Sequence, residues 1–348
     1  MSAVGSSNPG YVVARVRARR GQLYGDEEYR KLVRMSPAEI ARFMEESTYE
    51  SAINALGSRH GGVDLVEYAL NQNLAVQFEA ILEWSEGELY DLVARYLRKF
   101  DAWNLKTVIR GVYTGASREA VEADLIRAGE FDDRQIRRLL DADSIEAVVE
   151  AAEETIYDEP LRAAYPAFEE SDVLVPLENA VDRAFYDRLL TGLPGGEPVR
   201  QYEAFLEAEV DFRNAANALR LARSGAEIDP AEYFIDGGQL FTRTSLARLA
   251  RNLDELVEYV AGSQYADDLG PALRELEEAD SLIAFEQATD AALLAYADKL
   301  GTIHPVSVTP VISYILAKER EVENIRAIAR GKEAGLSADA IESELVIT

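Results

Sequence analysis

Apolar positions along this chain recur at three- and four-residue steps. Leu65, Tyr68, Ala69, Leu74, Ala75, Phe78, Ile81 and Leu82 form one such series, the stripe of a single long helix. Ser36-Pro37-Ala38-Glu39 reads as a helix start, with a cap, a proline in the first turn and a glutamate that completes a capping box. Asp229-Pro230-Ala231-Glu232 repeats that order. No Val/Ile/Thr-rich run alternates over a convincing length, so the predicted class is all-α and an α/β reading is weak.

The pattern also repeats on a longer scale. Asp101-Ala-Trp-Asn104, Asp211-Phe-Arg-Asn214 and Glu321-Val-Glu-Asn324 lie 110 residues apart, and each leads to an arginine (Arg110, Arg220, Arg330) and a glycine (Gly115, Gly225, Gly335). Glu122, Glu232 and Glu342, then Leu125, Ile235 and Leu345, keep the spacing. An upstream block has a period of 108: Ser36, Ser144 and Asn252 each precede a helical pattern. In register with them run Ile40, Val148 and Leu256, then Ser47, Thr155 and Ser263, then Tyr49, Tyr157 and Tyr265. A looser trace joins the blocks at Glu67–Asn71, Glu178–Asp182 and Glu286–Asp290. Two blocks with nearly equal periods imply triplication. The implied map is an N-terminal extension over 1–18 and helical modules over 19–128, 129–238 and 239–348, with breaks near Gly129 and Gly238.

Within the repeated block, the glycine suits a left-handed helix C-terminus, and Arg110, Arg223, Arg330 and Lys332 suit its dipole. The acid and the Asn three positions on share a helix face, whereas the Arg nine positions after the acid points nearly opposite. The acid and Asn are therefore expected to hydrogen-bond a neighbouring helix, and the Arg to address another surface. Polar residues repeated in every module read as packing bridges, since active sites are seldom triplicated.

Composition narrows the function. With no cysteine, and with His60 and His304 lying 244 positions apart, neither thiolate chemistry nor a metal site is expected. Sixty-three acids against 36 bases give −27, and the only lysines are Lys31, Lys99, Lys106, Lys299, Lys318 and Lys332. Such a surface disfavours nucleic acid and direct lipid adsorption, and it fits a protein of the haloarchaeal type held at roughly molar salt, where the Debye length is about 3 Å. The longest near-apolar run, Pro305–Ala317, is too short and polar to span a bilayer. No phosphate loop is found, because Gly331-Lys332 sits at the wrong helix pole and Gly192–Gly196 lacks both a lysine and a preceding strand. The paired glutamates Glu45-Glu46, Glu153-Glu154 and Glu277-Glu278 read as solvated helix faces. No catalytic, cofactor or metal residue is assigned.

The stretch His304–Gly335, with Tyr11–Arg19, Tyr29–Ser36, Trp103–Arg110 and Glu209–Asn214, resembles the C subunit of archaeal A-type (V-type) ATP synthases, the counterpart of the d subunit of vacuolar ATPases. The resemblance covers essentially the whole chain. It implies three modules in a pseudo-threefold funnel and a non-catalytic central-stalk role. It also implies rotor-ring proteolipids and central-shaft subunits as partners, and a place on the cytoplasmic face of the cell membrane reached only through them. The reading of another class is a helical-repeat adaptor that binds partner helices or peptides.

Overall fold

The computed structural model describes residues 7–224, 229–278, 282–342 and 345, and among them it is all-helical with no strand. Contacts divide the chain into two compact units, Met1–Asp143 with Val306–Thr348, and Ser144–Pro305.

The first unit carries α1 (Pro9–Arg20), α2 (Asp26–Leu32), α3 (Pro37–Glu45), α4 (Glu50–Leu56), α5 (Gly62–Trp84), α6 (Glu88–Leu97), α7 (Lys99–Thr114), α8 (Arg118–Asp124) and α9 (Asp133–Leu140). The second carries α10 (Ile145–Ala151), α11 (Asp158–Ser171), α12 (Val175–Leu190), α13 (Glu197–Ser224), α14 (Arg243–Leu249), α15 (Leu253–Ala261), α16 (Ala266–Glu278) and α17 (Leu282–Ile303). The chain then returns to the first unit with α18 (Thr309–Glu333) and α19 (Ala338–Glu342).

In the first unit α18 packs along α5 and α1 and touches α2 and α3. Its first turns are apolar all round, and Val311, Ile312, Tyr314 and Ile315 are all buried, as a helix sheathed by others requires. The polar members of that run are satisfied: Ser313 accepts from Arg20, and the Tyr314 hydroxyl donates to Gln77 Oε1 at 3.2 Å. The stripe on α5 buries Leu65, Ala69, Leu74, Phe78 and Ile81, while Tyr68, Ala75 and Leu82 are half-buried at its margins. In the second unit α13 packs against α14, α15 and α17, and α16 lies on α17. Tyr202, Phe205, Phe212, Leu256 and Leu269 fill its core.

The predicted helix starts are realised unevenly. Ser36 and Glu39 form the capping box of α3, and Ser144 and Asn252 cap α10 and α15 through their side chains. The second Pro-containing start differs. Asp229 bonds the Ala231 N–H and leads only into a short 3-10 turn, Pro230–Tyr233, because its side chain closes the turn one residue early. Residues 304 and 305 precede α18 by a short irregular stretch, and the helix starts at Thr309, with Pro310 in its first turn.

The helix ends repeat closely. Gly115 and Gly335 adopt φ +71° and +75°. Ala116 donates to Gly111 O and Leu336 to Gly331 O, each at 2.9 Å, which is the same left-handed closure 220 residues apart. Gly225 and the side chain of Arg223 lie outside the described residues, as do the side chains of Glu277 and Glu278.

A size exchange accompanies this closure. A Cβ on Gly111 would strike Val121, and one on Gly331 would strike Ile341, whereas the second copy has Leu221 with Ala231 at the matching positions. Overfilling a packed site costs roughly 1–3 kcal/mol. Gly111→Leu should therefore destabilise the protein by about that much, and adding Val121→Ala should restore part of the loss. Denaturant unfolding of the four proteins of that double-mutant cycle, in high salt, checks the coupling.

Candidate functional site

The repeated polar residues gather at three equivalent places, one at each long helix that carries them. On α7, Asp101 is buried and takes the backbone N–H of Glu130 on Oδ2 at 2.7 Å and that of Phe131 on Oδ1 at 3.0 Å. On α13, Asp211 takes those of Gln239 and Leu240 at 2.8 and 2.9 Å. On α18, Glu321 takes the Tyr24 N–H on Oε1 at 2.8 Å. The asparagines clamp a residue from both sides. Asn104 donates to Ile126 O and accepts from Ile126 N, both at 2.8 Å, and Asn214 does the same with Ile235 at 2.8 and 3.0 Å. Asn324 is buried and bonds the Tyr29 side chain.

The three acids and the first two asparagines bond irregular segments between helices instead of the neighbouring helix that the shared face predicts, whereas Asn324 does meet a neighbouring helix, at Tyr29 on α2. Residues 125–132 and 234–242 are non-helical, so their backbone groups lack internal partners and must be satisfied by side chains once buried. That requirement explains why the acid and the Asn recur together.

Glycine sits where the carboxylates press closest. A Cβ on Gly129 would fall within contact of the Asp101 carboxylate, and one on Gly238 within contact of Asp211. In the third copy both partners change together. Glu321 is one methylene longer than Asp, and Leu23 occupies the place before the bonded N–H. The longer acid reaches the backbone without the close approach that glycine permits.

The third copy is completed from the N-terminal part of the chain. Among the described residues only α19 follows α18, and the segment that Glu321 binds lies near the N-terminal end, at Tyr24. The arginines follow the same order: Arg220 pairs with Glu286 through Nη2 at 2.5 Å, and Arg330 pairs with Glu67. Each glutamate belongs to the looser trace seen in the sequence, one module onward from its arginine in cyclic order. Arg110 is exposed, and Glu122, Glu232 and Glu342 are exposed on the short helices and the turn that follow the long ones.

Around Glu321 the site is fully enclosed. Lys318 Nζ reaches Oε2 at 2.5 Å and the Tyr49 hydroxyl at 2.9 Å, and it lies 4.1 Å from the Tyr49 ring centre. Tyr49 in turn donates to Glu321 at 2.8 Å, as Tyr265 bonds Asp211 in the second unit. Burial pulls the Lys318 ammonium below its ordinary value, opposed by the adjoining Glu321 carboxylate. Sequence reasoning missed Lys318, Tyr24, Glu67 and Glu286 as parts of the site. A signal existed for Lys318: three residues before the acid stand Arg98, Ala208 and Lys318.

Burial pushes the Asp101 carboxyl up to about 7, against the pull of the Phe131 and Glu130 N–H groups. An acid whose folded pKa exceeds its unfolded value favours folding at low pH, and that benefit is lost as pH rises through the folded value. The stability of the wild type relative to Asp101→Asn should therefore fall between pH 3.8 and about 7. Denaturant unfolding across that range, at constant high salt, reads the difference. Gly238→Ala should destabilise by about 1–3 kcal/mol, because the added methyl displaces the buried Asp211 carboxylate from the Gln239 and Leu240 N–H groups. Thermal unfolding of Gly238→Ala beside Gly195→Ala, a loop position with open space, checks that the effect is specific.

The arrangement holds carboxylates against backbone and arginine, and among the described residues no group of acids and histidines is placed to hold a metal ion. A model of the ATP synthase (C/AC39) subunit family matches residues 12–344. Similar proteins include the C subunit of the A-type ATP synthase of Halorubrum lacusprofundi, 82% identical over 348 residues and all of both chains. The C subunit from Haloferax volcanii is 70% identical over 347 residues, again all of both chains. That of Methanococcoides burtonii is 35% identical over 348 residues, 98% of this chain and 95% of the relative.

Proposed function

Because the chain belongs to the ATP synthase (C/AC39) subunit family, matched over residues 12–344, we propose that it is a non-catalytic central-stalk subunit of an A-type ATP synthase. In this reading it seats the soluble shaft on the membrane rotor ring and passes torque between the two as an ion gradient drives ATP synthesis. It lies peripherally at the cytoplasmic face and meets the membrane only through partners. Among the described residues no helix is long and apolar enough to cross a membrane.

The observation that carries the mechanical part is the series of buried links between successive modules. A coupling under torque must resist shear, and buried, fully bonded polar links resist slippage because breaking one leaves a buried group unpaired. The conspicuous buried carboxylates, Asp101, Asp211 and Glu321, are spent on backbone N–H groups. We take the modules as 19–128, 129–238 and 239–348, joined in cyclic order by Asp101, Asp211 and Glu321 and by the pairs Arg220–Glu286 and Arg330–Glu67. Asn104, Asn214, Gly115 and Gly335 fasten each module internally. The acidic surface accords with the haloarchaeal relatives.

Affinity purification of the tagged full chain from its native membranes at high salt tests the reading. Ring proteolipids and shaft subunits should both co-purify, and deleting the gene should separate the head from the ring and abolish ion-driven ATP synthesis. Recovery of an intact, coupled synthase lacking this chain would overturn it.

A further inference from the structure

Helix α1 carries charge against the trend of the chain. The first acid is Asp26, and before it stand Arg15, Arg17, Arg19 and Arg20, in a protein of net charge −27. Val12, Val13 and Val16 turn inward, and α1 packs on α18 and α5. Two of the arginines serve that packing, since Arg19 donates to Gln77 O at 3.1 Å and Arg20 to the Ser313 hydroxyl.

The other two face outward. Arg15 and Arg17 are exposed, and among the described residues no hydrogen bond or ion pair holds either guanidinium. Round the outward side they lie about 160° apart, with Tyr11, Ala14 and Ala18 exposed between them. Arg15 is held ready, its guanidinium 4.7 Å from the ring centres of both Tyr11 and Trp84. Val306, 64% exposed, adjoins Gly10 and extends the apolar part of the face.

We propose that this face docks an acidic amphipathic helix of another subunit of the same synthase; the choice of partner rests on the assembly reading above. Carboxylates on its two flanks meet Arg15 and Arg17, and its apolar stripe lies over Tyr11, Ala14 and Ala18. A guanidinium stacked on rings keeps its planar fork free for bidentate carboxylate binding. At roughly molar salt only contact pairs survive screening, so pre-placed arginines matter more than long-range field. A broad polyanion such as an anionic bilayer fits less well. The basic face is one helix wide, and Glu83 and Glu86 are exposed beside it, Glu86 through a backbone bond to the Asn8 side chain.

A photo-crosslinking residue at Ala14, in the full chain assembled in native membranes, tests the proposal. The adduct should fall on an acidic helical segment of another subunit and drop at least about tenfold with Arg15→Glu plus Arg17→Glu, a change of about 1.4 kcal/mol. Reversing the partner's crosslinked carboxylates to arginine should restore it. An adduct to lipid, to a second copy of this chain or to a basic segment would overturn the proposal. So would no adduct in preparations where ring and shaft subunits still co-purify, an outcome that leaves the assembly reading intact. If the double reversal fails to fold, the Ala14 adduct with both arginines present decides the matter.

Discussion

The structure depends on one recurring constraint: a buried carboxylate on a long helix must satisfy the backbone of the segment that follows it in cyclic order. Asp101 and Asp211 each close two N–H groups, and Glu321 closes one while also holding Tyr49 and Lys318. The interactions are individually modest, but a buried donor left open costs about 1–3 kcal/mol. The register of each irregular segment is thus fixed by which N–H groups the acid can reach. Glycine before the bonded group permits the short acid, and the longer acid accommodates leucine there.

The cyclic order gives the termini their place. The segment that closes the last copy follows α1, at Tyr24, and α18 accordingly belongs to the same compact unit as α1 to α9. Lys318 and Glu321 are nearly inaccessible there, 1% and 2% exposed. A buried ion pair is a weak source of net stability, yet removing either partner is costly because the other charge is left buried and unpaired. Both partners of this pair stand on α18, and each also bonds the N-terminal part of the chain, Glu321 at the Tyr24 N–H and Lys318 at the Tyr49 hydroxyl.

Much of this was legible in advance. The all-α class followed from apolar spacing, and the helix-ending glycines from the conformation their position needs, seen at Gly115 and Gly335. The Asn and acid stood out because both recur at fixed spacing in every copy. Their partners did not, since Ile126, Glu130 and Tyr24 contribute backbone atoms, and backbone groups leave no mark in residue identity. Glu67 and Glu286 were visible as a trace, yet their arginines lie 263 and 66 positions away.

By itself the sequence determined the period, the helix class, the acidic surface and the residues that had to be satisfied, because each reflects local spacing or composition. Tertiary structure alone decided which backbone satisfies them and that the last copy is completed by the first segment. Loop closure over nearly the whole chain leaves no periodic signature, and the pairing is selected by burial and by the reach of a carboxylate. It also decided which arginines of α1 are spent inward and which remain turned out to solvent.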